Sequence, residues 1–132
     1  MSLYLPEGPL QTADAQSAID ELNGIAIPIN STTSVAYENS RIAKSGAGTL
    51  FGFTVYNSLA SSQFIQLHNA NAVPADAALP LISFTVAGSS NLGVYFGASG
   101  RFFTQGIVLC NSTTANSKTI GAANCWFDVQ YI

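Results

Sequence analysis

From Gly48 onward, apolar and polar residues alternate with the two-residue period of β-strands. Gly48–Asn57 predicts a strand with Phe51, Phe53 and Val55 on one face and Leu50, Thr54 and Tyr56 on the other. Ser62–Asn69 predicts a second, with Ile65 and Leu67 facing away from Phe64, Gln66 and His68. Leu81–Ala87 sets Ile82, Phe84 and Val86 against Leu81, Ser83 and Thr85. Shorter strands follow at Leu92–Phe96 and Phe102–Cys110, separated by the turn sequence Gly97-Ala98-Ser99-Gly100. The last strand, Asn124–Ile132, places Cys125, Phe127, Val129 and Tyr131 opposite Trp126, Asp128 and Gln130. Upstream, residues 24–30 read as an edge strand, where Pro28 is tolerated, with Ser34–Glu38 as its partner. About seven or eight short strands, with turn signals about every ten residues, fit an antiparallel sandwich or barrel. The links are too short to hold the crossover helices of a parallel sheet.

The period changes near the N-terminus. Over residues 12–24, Ala15, Ala18, Ile19 and Leu22 recur at helical spacing, with Thr12 as a cap, Asp14 in the first turn and Asn23-Gly24 as a stop. A helix this short is marginal alone and needs a surface to dock on, in its own domain or on a neighbour. Met1–Leu10, with Pro6 and Pro9 around Glu7-Gly8, reads as an extended arm. The expected division is 1–24 as arm and helix and 25–132 as a β-sandwich domain.

Charge sharpens this reading. Only 8% of the 132 residues are charged and 48% are hydrophobic, where an ordinary soluble domain carries about 25% charged residues. Between Lys44 and Arg101 the sole formal charge is Asp76. Four basic residues against seven acidic ones disfavour nucleic acid as a partner. The high apolar content excludes a disordered chain, and polar residues or glycine break every apolar run short of a membrane span. No signal sequence is visible at the start, so synthesis in a cytoplasm is expected. A surface of Ser, Thr, Asn, Gln and Ala that lacks charge fits a protein packed among other subunits.

No catalytic or cofactor constellation emerges. His68 is the sole histidine, and no GxSxG elbow orders a nucleophile against it, although Asp76 and Asp128 are available as acids. Asp20 and Glu21 are neighbours on the predicted helix and diverge, so they do not form a glycosidase pair. Cys110 and Cys125 flank a polar loop and match no zinc pattern. If their strands pair, a disulfide closing a loop of about 15 residues adds about 3 kcal/mol; otherwise they are two buried thiols. Trp126, Tyr56 and Tyr95 could form a stacking platform for sugar rings, or fill the core or an interface.

Residues from about 47 to 132 carry a resemblance. The elements are VYNS at 55–58, QFIQLHNANAVP at 63–74, PLISFTVAGSSN at 80–91, GRFFTQGIVLCNST at 100–113 and the closing CWFDVQYI. Together they resemble a module of tailed-phage structural proteins, similar to capsid decoration (cement) proteins. The resemblance implies a jelly-roll-like β-sandwich with no catalytic residues, forming a homo-oligomer, with a trimer favoured. It implies the major capsid protein as partner and the phage head as location. The N-terminal quarter lies outside it. Expected interface residues are Leu3, Tyr4, Leu5, Ile19 and Leu22 in the arm and helix, with Arg101, Phe102 and Phe103 at the sandwich edge. The alternative is a carbohydrate- or receptor-binding module of a fibre, or a neck or tail component.

Overall fold

A computed structural model describes residues 28–132. The predicted helix and the arm, with Leu3, Tyr4, Leu5, Ile19 and Leu22, lie outside the described residues. Nine strands form two antiparallel sheets: β1 (Asn30–Thr33), β2 (Ser40–Lys44), β3 (Gly48–Asn57), β4 (Gln63–Asn69), β5 (Ile82–Val86), β6 (Ser90–Tyr95), β7 (Arg101–Phe103), β8 (Ile107–Ser112) and β9 (Cys125–Tyr131). The front sheet has the order β1-β9-β3-β6, with β7 also on β3; the back sheet has the order β2-β8-β4-β5. Pairing is nested. β1 pairs with β9, β2 with β8, β3 with β6 and β7, and β4 with β5. Among the described residues there is no helix, hence none long and apolar enough to cross a membrane.

The sheets face each other across one apolar core. Leu50, Phe53, Val55, Phe127 and Val129 enter it from the front sheet. Ile65, Leu67, Val86, Ile107 and Leu109 enter it from the back. Inward alternation on β4, β5 and β9 follows the sequence pattern, because one face of each of these strands packs into the apolar core.

Three features differ from expectation. In β3, Leu50 pairs with Tyr131 and Gly52 with Gln130, so Phe51 is an extra residue in a bulge. The bulge shifts the alternation by one residue. Leu50 therefore joins Phe53 and Val55 in the core, and Phe51 does not. Next, the single strand expected at Phe102–Cys110 is two. The chain leaves the front sheet after Phe103 and joins the back sheet at Ile107. Gly106 lies at that crossing, where an added Cβ would sit 2.2 Å from the Ala70 carbonyl oxygen. Finally, the early strands fall at Asn30–Thr33 and Ser40–Lys44, later than expected. Ser34 and Glu38 lie between them, where the Glu38 carboxylate accepts from Ser34 Oγ and from Arg41 Nε.

The predicted turn at Gly97–Gly100 is present. Both glycines have positive φ, 88° and 67°, and the Gly100 amide donates to the Gly97 carbonyl. Residues other than glycine rarely adopt that conformation.

Candidate interaction surface

The two outer faces of the sandwich differ. On the back sheet, β4 turns Gln66 and His68 outward and β8 turns Cys110 and Ser112 outward, yet all four are buried. The loop after β8 covers them. Gln66 Nε2 donates to the carbonyls of Thr114, Ala115 and Ser117. Ser112 Oγ accepts from the amides of Thr114 and Thr119. A second loop locks the first: the Lys118 amide donates to the Ala78 carbonyl, and the Ala77 amide to the Lys118 carbonyl. Lys118 Nζ donates to Asp76 Oδ1 at 2.9 Å, and the Ile120 amide donates to the same oxygen.

This arrangement settles His68 in a structural setting. With Gln66 Nε2 committed to three carbonyls, Gln66 Oε1 faces the ring, so His68 Nε2 is the donor of their 3.1 Å bond. Burial and the nearby Lys118 ammonium lower its pKa. Among the described residues the hydrogen-bond partner of the His68 ring is the Gln66 amide.

Among the described residues, no loop covers the front sheet in this way. Its register places Ser31 and Thr33 of β1 and Trp126, Asp128 and Gln130 of β9 on one outer face. Gly52, Thr54 and Tyr56 of β3 and Asn91, Gly93 and Tyr95 of β6 share that face. These outward positions carry one formal charge, Asp128, whose carboxylate accepts from Thr33 Oγ1 and Gln130 Nε2. At one end Tyr37 stands edge-on to Trp126, ring centroids 5.8 Å apart, and Tyr56 lies opposite Trp126 in register. At the other end Gly52 and Gly93 leave the surface without side chains. There a groove of about 400 Å³ opens, with Ile29, Phe51, Thr54, Tyr95 and Gln130 among its walls. Tyr95 is 75% exposed and Phe102, on β7 of the same sheet, 62%.

The expected sites divide accordingly. Phe102 is exposed, but Phe103 is fully buried in the core and is not an edge contact, because β7 turns alternate residues inward. Arg101, the first residue of β7, is half-buried. Trp126 and Tyr56 are neighbours, whereas Tyr95 pairs with Gly52 at the opposite end of the face; the three do not form one platform. Cys110 and Cys125 are free thiols. Their strands lie in different sheets and do not pair, so the condition on which a bridge rested is not met. Burial pushes each thiol up to about 11. Among the described residues no group of His, Cys, Asp and Glu is placed to hold a metal ion. The glycine-floored groove was missed in the sequence. Its signal was the pair of glycines within otherwise apolar strands, which marks close backbone approach.

No protein-family model matches the chain, and no curated protein matches it. Among solved structures the chain is similar to the coat protein of tobacco streak virus, with 12% identity over 80% of this chain and 89% of that one, at a TM-score of 0.34. At that score the likeness is too loose to assign a fold or a role.

Proposed function

We propose that the protein is a non-enzymatic structural subunit of a virion, a jelly-roll sandwich that decorates or cements a capsid shell through subunit contacts. The observation that carries this reading is the front sheet's outer face. It is broad, nearly uncharged and studded with exposed aromatics, the composition of the core of a protein interface. Covering such a face desolvates little charge, so its burial is favourable without ion pairing. The nested strand pairing fits a jelly roll, in which the front sheet's outer face is available to neighbours. On the sequence resemblance, the oligomer is a trimer, the partner is the major capsid protein and the site is a phage head.

The test is attachment. Tyr95→Asp and Phe102→Asp place charge on the exposed face without touching the core. Each should weaken self-association in sedimentation and reduce binding to shells lacking the protein. A protein that remains monomeric and never joins a larger assembly would overturn the reading.

The edge-to-face pair Tyr37–Trp126 beside Tyr56 favours a second reading, a carbohydrate-binding module. Saturable binding on a glycan array that is lost in Trp126→Ala would select it over the first.

A further inference from the structure

We propose that the groove over Gly52 and Gly93 is the docking site of this chain's own residues 12–24. Three observations converge on it. First, the groove is apolar and its floor lacks side chains. Around Gly93, an added Cβ would meet only Thr54 Cγ2, at 3.7 Å. Such a floor lets another backbone approach closely.

Second, residues 12–24 carry the complementary surface. Ala15, Ala18, Ile19 and Leu22 form one narrow stripe at helical spacing, two small residues beside two larger ones. The stripe is too weakly apolar to stand alone and small enough to settle between Tyr95 and Ile29. The acids of this segment, Asp14, Asp20 and Glu21, fall off the stripe and stay clear of an apolar groove.

Third, the tether is short and starts at the groove. Ile29 is itself a wall residue. Gly24 is five backbone steps from Ile29, a reach of at most about 17 Å. From β1 across β9 and β3 to β6 is three strand spacings, about 14 Å. The link is therefore long enough to carry the segment across the width of the front sheet, and little longer. So short a link makes docking intramolecular, with a high effective concentration. A second copy would have to displace a tethered segment. Docking there covers the Tyr95 end of the front face and leaves the end around Trp126 and Tyr37 for the subunit contacts proposed above.

Cross-linking tests it in the full chain. Ile19→Cys or Leu22→Cys is combined with Gly93→Cys, where the added side chain has room. Ser61→Cys, in the exposed β3–β4 turn, replaces Gly93→Cys as the control. The native thiols are fully buried and do not compete. Mild oxidation of dilute protein should give an intrachain bridge to position 93 and little to position 61. As a second measurement, Gly93→Leu fills the groove and should speed amide exchange in residues 12–24 by about tenfold or more. The proposal is overturned by equal bridging to both positions, by cross-linked dimers in place of monomers, or by exchange unchanged in Gly93→Leu. Dimers would assign the groove to a second copy.

Discussion

Gln63 Nε2 donates to Asn57 Oδ1 at 2.6 Å, a buried bond from the back sheet to the front. Asn57 Oδ1 also accepts from the Leu59 amide, while its Nδ2 donates to the carbonyls of Ser61 and Ala87. Asn111 Nδ2 in turn donates to Gln63 Oε1 and to Asn124 Oδ1. The amides form a plug that closes one end of the core and joins β3, β4 and β8 to the residue before β9. Asn57→Ala removes both an acceptor and a donor of this plug and leaves buried partners unpaired. We expect a loss of about 3 kcal/mol in urea unfolding; a loss under about 1 kcal/mol would show that the plug relaxes around the gap.

Acid should loosen the covered back face in two separate windows. The folded pKa of His68 is lowered from 6.5 by burial and Lys118. Between that lowered value and 6.5 the unfolded chain binds more protons than the folded one, so stability falls as pH drops below 6.5 and levels off under the folded value. Asp76 is held below 3.8 chiefly by the hydrogen bond from Lys118, so its contribution is lost only as pH falls through that lower range. Urea midpoints at about pH 7.5 and about pH 5 should therefore differ in the parent and converge in His68→Gln. Equal pH dependence in both proteins would assign the effect elsewhere.

Both thiols should be silent in the native protein. Cys110 and Cys125 are fully buried, and with each thiol pushed up to about 11 little thiolate exists near neutrality. A thiol reagent should label neither in the folded protein and both after unfolding without reductant. Finding no thiol after unfolding would mean that they are bridged and that the two strands have been drawn together.

Glycine positions should separate by what an added methyl group meets. At Gly106 a Cβ would lie 2.2 Å from one carbonyl oxygen and 2.8 Å from another, at the crossing between the sheets. Gly106→Ala should cost about 2 kcal/mol or more. At Gly93 the same change makes only an ordinary contact, 3.7 Å from Thr54 Cγ2, and Gly93→Ala should stay within about 0.5 kcal/mol of the parent. Thermal melts of the two variants side by side test this contrast; similar melting temperatures would contradict it.

The strand pattern was readable wherever one face is buried and unbroken. Ile65 and Leu67, or Phe127 and Val129, alternate strictly because each faces the opposite sheet. Phe51 misled the alternation because a bulge depends on the register of the partner strand and leaves the local composition unchanged. Phe102 and Phe103 look equivalent as neighbours; one is exposed and the other fully buried. His68 read as a strand-end residue, but it is buried and bonds to Gln66, which a loop 48 positions further along the chain holds in place.

The sequence by itself determined an all-β chain with little charge, its turns and most inward-facing residues, because these follow from local periodicity and glycine chemistry. Tertiary structure decided which sheet each strand joins, and so placed Cys110 and Cys125 apart. It also decided that one outer face is sealed by loops and hydrogen bonds while the other, among the described residues, has no such cover around Gly52 and Gly93. Those outcomes depend on contacts between residues distant in the chain, where register and loop packing, not composition, set the lowest free energy.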